Sequence, residues 1–227
     1  MRSLLLLAAL AVSVGAQAQP SPLPLEFDAI FDEVFLVNGQ EQPPSEGAWF
    51  YAFDQGGWRT DHFTPQMNNF CACADNSTEK SCSLVFNSAG MYVSFVTDQA
   101  ACCRACGAAE GCSPLLPNWL SSNPNRTFVG NETVGKGKKA RVCEAWCVPG
   151  EIAQADCWLF ATDASGQQTP CRYSETFSFS RSSGAKTTVL HNLTFTDYKV
   201  RKQSPETFHV PKECEKPCPR LFPATCG

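Results

Sequence analysis

The chain has 227 residues, of which 14 are cysteine, and charged side chains make up 18% of it. Reducing compartments do not keep so many thiols oxidised, so the composition excludes an ordinary cytosolic protein and predicts a secreted, disulfide-rich one. The formal net charge of -4 also argues against a nucleic-acid-binding protein, because no basic field is present to neutralise phosphates.

The N-terminus has the features of a secretory signal peptide. An almost unbroken apolar run follows Arg2 and ends at the small residues of Ala16-Gln17-Ala18. We therefore predict a signal peptide over 1–18 and no transmembrane segment, because a membrane span needs about 20 apolar residues. The expected location is extracellular, or the lumen of a secretory-pathway or lysosomal compartment. Four glycosylation sequons agree with export, and their asparagines are Asn76, Asn125, Asn131 and Asn192.

The mature chain begins with a proline-rich leader over 19–24. We predict a single β-rich domain over 25–214 and a cysteine-containing tail over 215–227. For the first element, 25–37, the sequence allows either a short helix or a strand. Its apolar residues recur at helical spacing but are of types that prefer strands: Phe27, Ile30, Phe31, Val34 and Phe35.

From Ala48 onward the pattern is that of strands joined by short turns rich in glycine, asparagine and serine. The predicted strands are 49–53, 58–63, 83–86, 91–96, 140–148, 156–162, 172–180 and 186–200. Sequential strands with short turns pair antiparallel. The fold class is therefore mainly β: an antiparallel meander of about eight strands that forms a curved half-barrel or two stacked sheets around an apolar pocket.

The last predicted strand can be oriented by its alternation. One face carries Val189, His191, Leu193 and Phe195, and the other carries Leu190, Asn192, Thr194 and Thr196. A glycan on Asn192 must face water, so we expect Leu193 and Phe195 to point into the core.

The cysteines are predicted to form structural disulfides, although the pairing cannot be derived from the sequence. We expect them in loops or at strand ends, where they would fix the loops around the mouth of the pocket. Cys103 and Cys106 have the spacing of a redox motif, but the strand–helix context of such a site is missing. The full set is Cys71, Cys73, Cys82, Cys102, Cys103, Cys106, Cys112, Cys143, Cys147, Cys157, Cys171, Cys214, Cys218 and Cys226.

The sequence offers little support for catalysis. It has no Gly-x-Ser-x-Gly elbow, and His62, His191 and His209 stand isolated along the chain. Asp54 and Asp61 are better explained as a turn residue and a strand-edge residue than as a carboxylate pair. We predict no catalytic residues, no metal site and no cofactor. The basic loop 135–141 is interpreted as solvated, with binding of sulfated glycans as the alternative.

Aromatic side chains are abundant on the predicted strands, and most must belong to the core. Wide aromatic residues on a curved sheet also line apolar cavities in β proteins. The predicted ligand-binding residues are Trp49, Tyr51, Phe53, Trp58, Trp146, Trp158 and Phe160.

One motif near the end of the chain resembles that of a known family. Residues 205–214 read Pro-x-x-Phe-x-x-Pro-x-x-Cys and follow a long predicted strand. This stretch resembles the closing motif of the ependymin-related proteins, which are secreted glycoproteins. The resemblance implies a fold similar to that of the bacterial lipoprotein carriers (LolA/LolB type), whose curved antiparallel sheets enclose an apolar pocket suited to lipids.

The sequence is therefore compatible with two functions of different classes. The first is a secreted, non-catalytic glycoprotein that binds a lipid or another apolar small molecule. The second is an extracellular matrix or cell-surface protein with a filled core, whose Cys-rich loops contact extracellular proteins or glycans. An exposed Trp119 in an apolar loop would favour the second.

Overall fold

The computed structural model describes residues 19–63, 71, 81–95, 102–149, 153–180 and 186–219. The predicted signal peptide, the sequon at Asn76, and Cys73 and Cys226 lie outside these residues. The strands are β1 Glu26–Val37, β2 Gln40–Glu41, β3 Ser45–Ala52, β4 Gly57–His62, β5 Cys82–Asn87, β6 Gly90–Phe95, β7 Cys102–Gly107, β8 Thr127–Val134, β9 Arg141–Val148, β10 Ala153–Thr162, β11 Gln168–Ser180 and β12 Lys186–Lys199.

These strands form one open sheet, ordered β7-β6-β5-β4-β3-β1-β12-β11-β10-β9-β8, with β2 added beside β1. Every neighbouring pair along this path is antiparallel, as short connections require. The predicted fold class is thereby confirmed as a single sheet. The named helical segments of the described residues are short 3-10 turns, and no described helix has the length and hydrophobicity of a membrane span.

The first element is a strand and forms the centre of the sheet with β12. Phe27, Phe31 and Phe35 are buried on one face, while Ile30 and Val34 lie on the other. A β-bulge between Ile30 and Phe31 shifts its register against β12. After β1, the chain reverses through Asn38-Gly39, whose positive φ angles of 51° and 79° suit these two residue types.

The sheet curls so strongly that distant parts of its inner face are in contact. Trp49 on β3 and Trp158 on β10 have ring centroids 5.4 Å apart, although β1, β12 and β11 lie between these strands in the sheet. The main core is therefore enclosed by one sheet, with Leu193 and Phe195 pointing into it. The face assignment made for β12 from the sequence is confirmed, since Thr196 and the rest of its face point away from this core.

The C-terminal motif is fastened to the outer strands of the sheet. Phe208 is buried in a 3-10 turn, Pro205–Phe208, and its ring packs so closely on Gly57 that a β-carbon there would clash with it. Arg59 Nη1 donates a hydrogen bond of 3.2 Å to the Thr207 carbonyl. Cys214, at the end of the motif, forms a disulfide with Cys102 of β7.

The described disulfides are Cys71–Cys82, Cys102–Cys214, Cys103–Cys218, Cys106–Cys112, Cys143–Cys171 and Cys147–Cys157. The expected placement in loops or at strand ends holds for Cys82 and Cys102, which begin strands, and for Cys112 and Cys214, which lie outside them. It is wrong for Cys143, Cys157 and Cys171, which lie inside strands. Cys103 and Cys106 bond to different partners, so they are not a redox pair.

Two bridges attach the C-terminal tail to β7, which is an edge strand. Cys102 and Cys103 hold Cys214 and Cys218, and the Arg104 N–H donates to the Lys216 carbonyl at 2.8 Å. The tail thus covers backbone groups that a bare edge would expose to another chain.

We expect all fourteen cysteines to be oxidised in the secreted protein. Alkylation under denaturing, non-reducing conditions, followed by mass spectrometry, should add no label, whereas the reduced protein should accept fourteen. Stoichiometric labelling of two or more cysteines without reduction would contradict this prediction and would indicate free thiols available for redox chemistry or metal binding.

Candidate ligand-binding site

An aromatic cluster fills the inner face of the curled sheet. Trp49 and Trp58 are stacked with centroids 4.9 Å apart, and Trp158 stacks on Phe160 at 6.0 Å. Phe128 meets Trp146 at 5.4 Å. All of the predicted ligand-binding residues belong to this cluster or pack against it, namely Trp49, Tyr51, Phe53, Trp58, Trp146, Trp158 and Phe160. The structure brings them together, and their role in binding stays a prediction.

Strand alternation explains how residues far apart in sequence converge here. Trp49 and Tyr51 are two residues apart on β3, as Trp158 and Phe160 are on β10, so each pair shares a face. Trp146 on β9 lies directly opposite Trp158 in the register. The curl of the sheet then brings the β3 and β10 pairs into contact.

A segment without helix or strand, 111–126, covers part of the cluster. Leu120 is buried in it, and Leu115 and Trp119 pack against it. Tyr51 Oη donates a hydrogen bond of 2.7 Å to the Leu115 carbonyl, and the Leu23 N–H donates to the Pro117 carbonyl at 2.8 Å. Trp119 is partly buried against the cluster, so it is not the exposed loop residue that would have favoured the matrix-protein hypothesis.

The five tryptophans share an unusual polar feature. The indole Nε1 of each is buried and, within the described chain, has no hydrogen-bond acceptor: Trp49, Trp58, Trp119, Trp146 and Trp158. The phenol oxygen of Tyr198, at the edge of the same cluster, is buried and unpaired in the same way. A buried donor without an acceptor costs about 1–3 kcal/mol, so the apolar site contains several donors able to gain from an oxygen-bearing group.

A buried polar cluster continues the same inner face beyond the aromatic residues. Glu33 on β1 is fully buried, and its Oε2 accepts a hydrogen bond of 2.7 Å from Ser45 Oγ. His62 Nδ1 lies 3.0 Å from Glu33 Oε2, and His191 Nε2 lies 2.8 Å from Glu33 Oε1. His191 Nδ1 contacts Glu175 Oε1 at 2.8 Å. Two histidines that are isolated in the sequence thus meet on one carboxylate.

The electrostatics of this cluster favour an ion pair. Burial alone raises the pKa of Glu33, but the neighbouring His62 and His191 outweigh it and hold that pKa well below 4.5. Burial alone lowers the pKa of His191, whereas its hydrogen bonds to Glu175 and Glu33 raise it from 6.5 to about 9. Around neutral pH His191 is therefore a cation held between two carboxylates.

The network extends towards β10 through Tyr173. Tyr173 Oη donates to Glu175 Oε2 at 3.4 Å, and burial with the nearby Glu175 charge raises the pKa of this phenol well above 10. Burial, and then the Glu175 charge, raise the pKa of Asp156 to about 6. The described residues contain no group of three or more His, Cys, Asp or Glu side chains placed to hold a metal ion.

The outer face of the sheet carries a separate groove of about 1550 Å³. None of the predicted ligand-binding residues contributes to its lining, whereas Asn192 lies in its floor and Lys136, Lys138 and Arg141 of the basic loop lie along one wall. Asn125 and Asn131 are exposed, as glycosylation requires. Asp61 pairs with Arg59 at 2.6 Å, in agreement with a structural role.

No protein-family model matches the sequence, and no curated protein matches it. Among solved structures, the chain is similar to an uncharacterised conserved protein from Thermus thermophilus, with 10% identity and a TM-score of 0.45 over 86% of this chain and 90% of that one. It is also similar to the LolA superfamily protein NE2245 from Nitrosomonas europaea, with 9% identity and a TM-score of 0.35 over 81% and 90% of the two chains. The Pseudomonas aeruginosa MucA/MucB complex contains a third similar chain, with 14% identity and a TM-score of 0.37 over 84% of this chain and 57% of that one.

Proposed function

We propose that this protein is a secreted, non-catalytic glycoprotein that binds a lipid, or another apolar molecule bearing oxygen atoms, at the aromatic cluster. The observation that carries the proposal is the set of buried indole N–H groups without acceptors in the described chain. A pure hydrocarbon core gains nothing from such donors. A fatty acid or an ester lipid supplies both the apolar chain and the oxygens that would satisfy them.

The covering segment, 111–126, supports the same function. It places Leu115 and Trp119 over the cluster without forming regular structure of its own. An apolar ligand would take the place of these side chains, so that the protein closes its aromatic face when no ligand is bound. Displacement would expose Leu115 and Trp119, and burial of the ligand's apolar chain would offset that cost.

The expected affinity follows from the apolar area transferred. About ten buried methylenes at roughly 0.8 kcal/mol each contribute about 8 kcal/mol before ordering costs, which corresponds to a micromolar dissociation constant. Titrating the purified, fully oxidised protein with palmitic acid should quench tryptophan fluorescence with a dissociation constant in this range or tighter. Native protein should also release lipid on organic extraction, as detected by mass spectrometry.

Paired variants test the role of the indole donors. Trp146→Phe keeps an aromatic ring but removes one N–H and some ring area, so it should weaken palmitic acid binding about fivefold more than it weakens hexadecane uptake, the value of one hydrogen bond near 1 kcal/mol. Phe160→Leu removes ring area only and should weaken both ligands equally. Equal effects of the two variants on both ligands would show that the donors have no part in binding.

A second function is favoured by one observation, namely that aromatic side chains fill the inner face in this structure. An extracellular matrix or cell-surface protein would use such a core only for stability and bind partners through its loops. If the protein carries no lipid from its native source and takes up no palmitic acid at tens of micromolar, the carrier proposal fails and this second function remains.

A further inference from the structure

The side chain of Asn192 is among those that line the groove on the outer face. This residue lies near the middle of β12, opposite Val34 on β1 and Ser174 on β11. Leu190 and Thr194, two residues away on either side, share its face. All of these residues line the groove, so Asn192 occupies the middle of the patch that the sheet presents to it.

The patch combines apolar and polar side chains in separate halves. Leu190 lies opposite Leu36 of β1, and with Val34 they form an apolar half. Thr194 lies between Asp32 and Arg172 in the register and forms a polar half with them. A sugar ring has the same division, because its C–H face is apolar and its hydroxyl groups are polar.

The carboxamide of Asn192 is held in one orientation. Ser174 Oγ donates a hydrogen bond of 2.6 Å to Asn192 Oδ1. This fixes the oxygen towards β11 and turns Nδ2, the atom that carries an N-linked glycan, to the other side of the group. The side chain is half-buried, unlike the exposed Asn125 and Asn131.

We propose that the occupant of this groove is the protein's own N-linked glycan, attached to Asn192 and lying along the floor. The inference rests on the predicted export of the chain and is independent of lipid binding on the inner face. Attachment joins Asn192 Nδ2 to C1 of the first N-acetylglucosamine of a lipid-linked oligosaccharide. The bond from that carbon to the diphosphate breaks, the lipid diphosphate leaves, and the amide nitrogen loses one proton.

The tether explains why the glycan is the occupant and not a free ligand. A glycan joined at the centre of the floor is present at a high local concentration, and its first sugars cannot leave the groove. Its ring faces pack on Val34 and Leu190, and its hydroxyl groups lie within reach of Thr194 and Asp32. A glycan on Asn125 has no such surface and extends into solvent, because none of the described residues 111–126 lines the groove.

Enzymatic deglycosylation of the full-length secreted protein tests the proposal. Peptide-N-glycosidase should release the Asn125 glycan from the native protein readily and the Asn192 glycan more slowly by about tenfold or more, because the buried linkage must first open. After denaturation the two rates should be equal. Glycopeptide mass spectrometry should also find less trimmed mannose-rich glycans at Asn192 than at Asn125.

Variants distinguish a glycan that packs in the groove from one that is only attached to Asn192. Asn192→Gln should raise hydrogen exchange in the basic loop 135–140, which forms a wall of the groove, whereas Asn125→Gln should not. An unoccupied Asn192, native release at the Asn125 rate, or unchanged exchange in Asn192→Gln would each overturn the proposal and leave the groove to a second protein chain or a free ligand.

Discussion

Replacing Leu193 by aspartate is expected to abolish secretion of the folded protein. Leu193 is 3% exposed, lies in the aromatic core and sits directly opposite the buried Glu33 carboxylate of β1 in the register. An unpaired carboxylate there must lose its hydration or force the core open, which costs several kcal/mol against a typical total stability of about 5–15 kcal/mol. Quantifying the protein in medium and in cell lysate provides the measurement.

The matched control is Thr196→Asp, which introduces the same charge on the opposite face of the same strand. Thr196 is exposed, so the new carboxylate stays hydrated and secretion should be close to normal. If both variants are secreted equally well, Leu193 does not face a core and the orientation of β12 is wrong.

The strand orientation was predictable because a strand has a period of two and its sequon fixes one face. The same rule explains the first element, which the sequence left open. Phe27, Phe31 and Phe35 are separated by four residues, a spacing that suits one face of a helix and equally one face of a strand. Ile30 and Val34 then fall on the opposite face, and only pairing with β12 and β3 distinguishes the two alternatives.

The strands β2, β7 and β8 went unpredicted: β2 has only two residues, β7 consists of residues with low strand propensity, and the apolar pattern of β8 is interrupted by Gly130, Asn131 and Glu132. β7 reads Cys-Cys-Arg-Ala-Cys-Gly, and β8 contains Gly130 at a register shift against β9. Tertiary partners stabilise both: β7 is bonded to the C-terminal tail through Cys214 and Cys218, and β8 pairs along β9. Strand propensity alone gives no information about such tertiary partners.

The aromatic residues of the candidate site were found from the sequence, but the donors among them and the polar cluster were not. Glu33 is one of four acidic residues in β1, and nothing in a single sequence distinguishes a buried carboxylate from an exposed one. Its partners, His62 and His191, lie 29 and 158 positions away. Only the sheet order, which places β12 beside β1 and β4 one strand beyond β3, brings these side chains together.

The buried Glu33–His191 pair should make the protein most stable at mildly acidic pH. The pKa of Glu33 is lowered on folding, so its contribution is present above pH 4.5 and is lost as the pH falls through the folded value. The pKa of His191 is raised to about 9, so its contribution is complete below pH 6.5 and is lost as the pH rises through about 9.

Asp156, like His191, makes the folded protein less stable as the pH rises above mildly acidic values. Its pKa is raised to about 6, so its ionised form destabilises the fold above that pH, and protonation relieves the penalty as the pH falls. The free energy of unfolding, measured by urea denaturation, should therefore decrease by about 3 kcal/mol from pH 5.5 to pH 9, mainly through loss of the His191 proton.

The His191→Gln variant should lose most of this pH dependence, because glutamine can hydrogen-bond to Glu33 and Glu175 but carries no proton that dissociates in this range. His209→Gln is the matched control, since His209 is exposed and its replacement should leave the pH profile unchanged. A direct measurement covers the case in which His191→Gln does not fold. NMR titration of the unsubstituted protein should show the His191 imidazole losing its proton near pH 9, and a midpoint near 6.5 would contradict the buried ion pair.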